Sequence, residues 1–451
     1  MLSILRLFVL SLAFISTQGG VSVHNPFYCY SEDPVRTWTG LGGINSPYEP
    51  NRGQFINANV STCNPSKIWM SGRHGSRFPF EGDLPNLRSE LPVLQRQILT
   101  NYNEGRTSLC ASDFDLIRNW QFNPDITEEN AEHLSPSGWN EMKEMAQRFQ
   151  AAFPTVLPST YSPNDYFFQN SNFERTRSSL NAFADGLFGD GGHEQVQFED
   201  IPEPDLHLRP FNHCPLYTDL NLAVEQDAFV EGPEYQEMVM QVSAKLGFHN
   251  SNVLRHSDIV LLALQCKYDQ MWNLNYTSPS PFCASFSVAN GQVVEYYQDL
   301  YWYHIIGYGQ PEHRRLFENV MCFTLQDMLR FVRSNDARDH KLRIFNGHVR
   351  QFLMFLHFDA FDGDNVLTRH NFAQQSQRVW RSTELLPMAM NIAVVRYDCD
   401  DGDNDLLFLF NEKPLQIRGC DSNGVCKQSF ILERLGRYLD VNCLEVFCTY
   451  D

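Results

Sequence analysis

The stretch Arg73-His74-Gly75-Ser76-Arg77-Phe78-Pro79 places an imidazole between two guanidinium groups. Guanidinium forks match the oxygens of a phosphate in charge and shape, and a neutral imidazole nitrogen is a nucleophile, so the pattern fits an anion pocket with a nucleophile inside it. Gly75, beside the histidine, leaves room for backbone to approach a ligand closely. Pro79 suits a chain that turns after leaving a strand.

Two later stretches supply partners for this one. Arg175 falls near the start of a helix whose buried face is Leu180, Phe183, Ala184 and Leu187, and a helix N-terminus already favours an anion through its unpaired N–H groups and dipole. His348 follows Asn346-Gly347 at the mouth of another helix, from about Val349 to Phe358. Arg73, Arg77 and Arg175 with His74 and His348 would meet the needs of phosphoryl transfer: cations that hold and neutralise the phosphoryl oxygens, and an imidazole that attacks phosphorus in line.

The elements that must position these residues are legible as short apolar runs. Ile68-Trp69-Met70, Tyr166-Phe167-Phe168 and Leu342-Arg343-Ile344-Phe345 read as buried strands, each running into one of the polar stretches above. Ser135 caps a helix with Pro136 at its first position and Met142, Met145, Ala146 and Phe149 on one face, ending before Pro154. Leu91 to Leu99 and Phe114 to Trp120 have a looser helical pattern. From Phe211 to about Asn319 the pattern is mainly helical, with loops at Pro233, Asn250 and Pro279-Ser280-Pro281, and the aromatics Tyr296, Tyr297, Tyr301, Trp302 and Tyr303 read as core. Phe323 to Val332 continues as helix. Asn391 to Tyr397 and Leu406 to Phe410 read as strands joined by the acidic loop Asp398 to Asp405. That loop fails as a calcium site, because Tyr397 would fall at the first ligand position. Strands alternating with helices, with polar residues at strand ends, predict an α/β sheet that carries its site at that edge.

At 451 residues, with 43% hydrophobic and 20% charged residues, the chain has ample material for a large core. Its formal net charge of −19 opposes general nucleic-acid affinity, while a local basic pocket can still take an anionic small molecule. Met1 to Gly20 carries Arg6 and then an apolar run from Leu7 to Ile15, which predicts a secretory signal peptide over residues 1–20 and no transmembrane span. The C-terminal Cys448-Thr449-Tyr450-Asp451 is not a retrieval signal, so secretion, or the lumen of the secretory pathway, is the expected location. Twelve cysteines fit disulfides in an oxidising compartment, with Cys420–Cys426 and Cys443–Cys448 close enough to be local staples. The absence of Cys-x-x-Cys and His-Glu-x-x-His spacing argues against zinc. Asn59-Val60-Ser61 and Asn275-Tyr276-Thr277 are glycosylation acceptors if exposed.

On Arg73 to Pro79, Arg175 with Asn181 to Leu187, Phe211-Asn212-His213-Cys214 and the His348 stretch, the sequence resembles the histidine acid phosphatases, and within them the multiple inositol polyphosphate phosphatases, which are phytase-like enzymes. The resemblance implies that His74 forms a phosphohistidine, that Arg73, Arg77 and Arg175 bind the phosphate, and that His348 donates to it. It implies inositol phosphates, and also bisphosphoglycerate, as substrates, with no metal or cofactor. It implies a histidine-phosphatase-like central sheet flanked by helices and one discontinuous domain over 21–451, with an inserted, mostly helical second domain made mainly from 90–155 and 211–320.

One departure stands out. The branch resembled carries His-Ala-Glu at the second motif, its Glu being the general acid, and relatives use His-Asp; here the residues are His348-Val349-Arg350. An arginine does not deliver a proton at physiological pH, and loss of the acid predicts a rate lower by roughly 10² to 10⁴ fold. Arg350 would then add positive charge for substrate binding, and a non-catalytic or weakly active binder of inositol phosphates is the alternative to the enzyme. Glu81 and Asp83 are the substitute carboxylates nearest the first motif, whereas Asp359 lies too far along the helix from His348.

Overall fold

The computed structural model describes residues 23–33, 42–273 and 278–451, so the expected leader and Asn275 lie outside the described residues. Asn59 is exposed. A mixed sheet organises the chain in the order β2 (Tyr166–Asn170), β3 (Leu342–Gly347), β1 (Asn64–Arg73), β4 (Asn391–Asp398), β5 (Asp405–Phe410), β6 (Lys413–Pro414), with β7 (Val425–Lys427) also pairing to β5. β1 runs parallel to β3 and β3 parallel to β2, while β4 and β5 are antiparallel to their neighbours. The expected strands are all present.

Alternation along β1 assigns its two faces. Ile68 and Met70 join one core with Phe168, Ile344 and Val395, covered by helices α3 (Pro136–Ala152) and α4 (Glu174–Phe188), which supply Met142, Met145, Phe149, Leu180 and Phe183. Trp69 points the other way, into a second core. That core takes in α1 (Leu91–Asn103), α2 (Ala111–Asn119) and the helices Pro233–Lys245, His256–Trp272 and Val288–Ile306, so the helical part and this face of the sheet share one apolar interior. Each large apolar side chain so buried contributes about 1.5–3 kcal/mol. Tyr296 and Tyr303 are buried in it, as expected for core aromatics.

The helices of the 90–155 segment pack on two different cores. α1 and α2 pack with the 233–245, 256–272 and 288–306 helices, and α3 packs on α4 against the sheet. The Ser135 hydroxyl accepts from the N–H of Gly138, as a cap should. Val349–Phe358 is a 3-10 helix, whose steeper rise carries Asp359 further from His348 than an α-helix would. Asp359 is in any case held by Arg314 and Arg434.

Six disulfides join all twelve cysteines: Cys29–Cys110, Cys63–Cys399, Cys214–Cys448, Cys266–Cys283, Cys322–Cys443 and Cys420–Cys426. The local staple expected at Cys443–Cys448 is not formed. Each of those cysteines instead reaches far back along the chain, because the C-terminal segment lies across the 322–333 helix and the 214 turn. The acidic loop between β4 and β5 is a turn, pinned by Cys63–Cys399 and by Asp403 accepting from Ser429. Among the described residues no helix is long and apolar enough to cross a membrane.

Candidate active site

Parallel register brings three strand ends to one level. Arg73 of β1 lies beside Gly347 of β3, and Asn346 lies beside Asn170 of β2. The next residues along each strand are therefore neighbours: His74, His348 and Ser171. The rings of His74 and His348 lie 5.7 Å apart, nearly perpendicular.

The backbone of His74 is held on both sides, its N–H donating to Gly347 O at 3.1 Å and its carbonyl accepting from Ala389 N–H at 2.9 Å. Beyond it, Gly75 N–H donates to Ser179 Oγ of α4, and Ser76 O accepts from Ser135 N–H and Oγ at the start of α3. Gly75 serves this docking rather than the approach of a ligand. A Cβ there would stand 2.6 Å from Gly138 O, and one on Gly138 would stand 2.1 Å from Ser76 O. Two glycines let backbone meet backbone under the His74 loop.

His74 Nδ1 lies 2.8 Å from Gly75 O. A carbonyl only accepts, so Nδ1 carries the proton and Nε2 keeps its lone pair. The ring is buried, and burial together with Arg73, Arg175, His348 and Arg77 holds its pKa well below the ordinary histidine value. The imidazole is therefore neutral at neutral pH, with the Nε2 lone pair free to attack. His348 is shifted the same way, by burial and then Arg175, Arg209, Arg73 and Arg77. Its Nε2 is 3.0 Å from Ser171 Oγ and its ring stands edge-on to Phe173 at 4.9 Å, which leaves Nδ1 for a ligand.

The guanidinium groups press on one another. Burial and the neighbouring arginines push Arg73 down to about 9 and Arg175 to about 10, so both stay charged at neutral pH. Arg73 Nη1 donates to the carbonyls of Ile44, Leu386 and Pro387. Arg77, 1% exposed, donates to Phe78 O and lies 3.6 Å over the Phe80 ring. Arg175 donates to Glu132 Oε2 at 2.9 Å. The buried Nε atoms of Arg73, Arg175 and Arg209 have no hydrogen-bond partner. Unpaired buried donors are costly, and an oxyanion would satisfy them. Beneath the pocket Glu141 accepts from Ser76 N–H, Ser76 Oγ and Tyr48 N–H, its carboxyl pushed up by burial to about 7.

The structure thus brings together all five residues expected at the pocket and adds Arg209, which the sequence reading missed. Arg209 lies 4.6 Å from the Phe173 ring and Arg175 lies 4.5 Å from it, so one aromatic ring carries two cations beside His348. Its only local signal was its place just before the Phe211 to Cys214 stretch. Arg350, expected to bind substrate, has its guanidinium 5.3 Å from the Phe211 ring and 5.9 Å from that of Tyr217. The cations that bear most on His348 are the other four.

Over residues 70–411 the sequence matches the histidine phosphatase superfamily (branch 2). It is 32% identical over 441 residues to multiple inositol polyphosphate phosphatase 1 of Drosophila melanogaster, covering 95% of this chain and 91% of that one. It is 24% identical over 386 residues to the Homo sapiens protein of the same name, covering 79% and 76%. Among solved structures, the phytase from D. castellii shares the fold at a TM-score of 0.71 and 18% identity, over 91% of this chain and 87% of that one. The Bifidobacterium longum multiple inositol polyphosphate phosphatase in complex with inositol hexasulfate shares it at a TM-score of 0.59 and 12% identity, over 86% and 96%.

Proposed function

Because this chain belongs to the histidine phosphatase superfamily, branch 2, we propose that it is a phosphomonoesterase that removes phosphate from inositol polyphosphates through a phosphohistidine at His74. The observation that carries this reading is the His74 ring itself: a neutral imidazole with Nδ1 bound to Gly75 O and Nε2 unprotonated, set among guanidinium groups whose Nε donors await an acceptor. Arg73, Arg77 and Arg175 hold the phosphoryl oxygens and neutralise the charge that grows on them as Nε2 closes on phosphorus. His348 Nδ1 takes up a proton when the dianion arrives beside it and donates it to a phosphoryl oxygen, since a nearby negative charge favours the imidazolium.

Four clustered guanidinium groups in a chain of net charge −19 support a substrate with several phosphates over a neutral ester. Bisphosphoglycerate would meet the same requirement. The disulfides support residence in the secretory pathway or outside the cell. A second reading, capture of inositol phosphates without turnover, is favoured by one observation, an arginine at 350 where the resembled branch has its acid.

Phosphate release from inositol hexakisphosphate, measured from acidic to neutral pH, decides between them. Turnover in the native protein that is lost in His74→Ala is the expected result. Equal rates in the two proteins would overturn the catalytic reading and leave binding, measurable by calorimetry.

A further inference from the structure

Arg350 leaves the departing inositol oxygen without an obvious proton donor, and this inference rests on the phosphohistidine reading above. A donor must be a carboxyl near the phosphate-binding arginines, free of an ion pair that would strip its proton, and not locked away from the pocket. Glu132 is tied to Arg175. Glu141 is buried beneath the pocket under three donors. Asp205 is 5% exposed and accepts from the N–H of Leu208. Asp359 is held by two arginines. Glu81 is exposed to solvent.

Asp83 differs from all of these. It is half-buried at the end of a short 3-10 turn, Glu81–Asp83, closed by its own N–H donating to Phe80 O at 2.9 Å. That turn begins just after Pro79, so Asp83 sits on the loop that carries Arg77. Its carboxyl receives the Tyr268 hydroxyl at 3.3 Å, and the Arg77 guanidinium lies near enough to favour the ionised form of both groups. Tyr268 is stacked on Trp272, with ring centroids 5.1 Å apart, and Trp272 Nε1 donates to Arg77 O. The His256–Trp272 helix thus ties the Asp83 carboxyl, through Tyr268, and the Arg77 backbone, through Trp272, to one another.

We infer that Asp83 is the acid that protonates the leaving oxygen, standing in for the carboxyl absent at position 350. Burial raises its pKa above the ordinary aspartate value; the Tyr268 hydroxyl, the Arg77 guanidinium and the Phe80 backbone pull it back, and Glu132 pushes it up again. A bound phosphate dianion adds a further upward push. In the first step the bond from His74 Nε2 to phosphorus forms as the ester P–O bond breaks, and the ester oxygen takes the Asp83 proton to leave as an alcohol. In the second, the Asp83 carboxylate accepts a proton from the water that attacks phosphorus. The P–N bond breaks, orthophosphate leaves, and both His74 and Asp83 return to their starting states.

The test compares Asp83→Asn with the native protein on inositol hexakisphosphate and on p-nitrophenyl phosphate, whose phenolate leaves without a proton. Asparagine keeps the volume and can still accept from Tyr268, and a thermal melt checks the fold. The expected result is a single-turnover phosphorylation rate lower by about 10²–10⁴ fold with inositol hexakisphosphate, and changed only a few-fold with p-nitrophenyl phosphate. The basic limb of the pH–rate profile disappears, and Asp83→Glu restores part of the rate. Equal losses on both substrates, or no loss on inositol hexakisphosphate, would overturn the assignment while leaving the phosphohistidine reading intact. A native protein that releases phosphate from neither substrate would remove that reading and this one together.

Discussion

The carboxylate of Glu132 accepts a hydrogen bond from Nη1 of Arg175 at 2.9 Å, and Glu132 does so from a left-handed backbone with φ of 63°. A non-glycine residue in that region carries about 1–3 kcal/mol of strain, offset here by its N–H donating to Pro79 O. The contact spends on a protein carboxylate a donor that an incoming phosphate would use.

Glu132→Gln should therefore tighten product inhibition. The neutral amide competes less well for Arg175, and a charge-assisted hydrogen bond is worth about 1.5–3 kcal/mol, so the inhibition constant for orthophosphate should fall about tenfold or more. Weaker inhibition would mean that Glu132 orients Arg175 rather than occupying it.

Gly75→Ala should disable the site without touching a side chain that contacts substrate. The new methyl would meet Gly138 O at 2.6 Å, which forces the His74 loop off the N-terminus of α3. We expect a loss of turnover of about 100-fold and a destabilisation of about 1–3 kcal/mol in denaturant unfolding. Gly138→Ala, on the opposite side of the same contact, should do the same.

The His74 ring should stay neutral as the pH falls through the ordinary histidine value of about 6.5, which its ring-proton NMR shifts would report as the absence of a titration there. Its folded pKa is depressed, so below the unfolded histidine value of about 6.5 the unfolded chain binds the extra proton and the folded one does not. Stability from this site is thus full above that value and falls as pH drops below it. His74→Gln should lose less melting temperature between pH 7 and pH 5 than the native protein.

Arg209→Ala should act mainly on substrate capture. Removing one of the two cations stacked on Phe173 should raise KM for inositol hexakisphosphate about tenfold, with a smaller change for a monophosphate and kcat within a few-fold. An unchanged KM would show that Arg209 only supports Phe173.

Short-range signals carried much of this in the sequence. Apolar runs of three or four residues marked β1, β2 and β3, and the polar residues just past them marked His74, Arg175 and His348, because strand and turn chemistry is local. Glu132, Arg209 and Tyr268 left no such mark. They reach the pocket through packing between segments far apart in the chain, which no periodicity encodes. Gly75 was visible, but its reason lay in Gly138, a residue on another element. Cys443 and Cys448 show the same limit: sequence proximity suggested a staple, whereas the path of the last segment across the 322–333 helix and the 214 turn decided the pairing.

The pairing of β1 bears on how this protein is made. β1 leaves the ribosome early, yet both strands that flank it, β3 and β4, are encoded near the end of the chain. For most of synthesis the strand that leads into His74 has neither neighbour, and its apolar Ile68-Trp69-Met70 run is open to pairing with other chains. Assembly of the sheet therefore waits on the later part of the chain and joins strands far apart in sequence, so it is slow by topology. A chain truncated before β3 would lack not only His348 but the means to shelter His74.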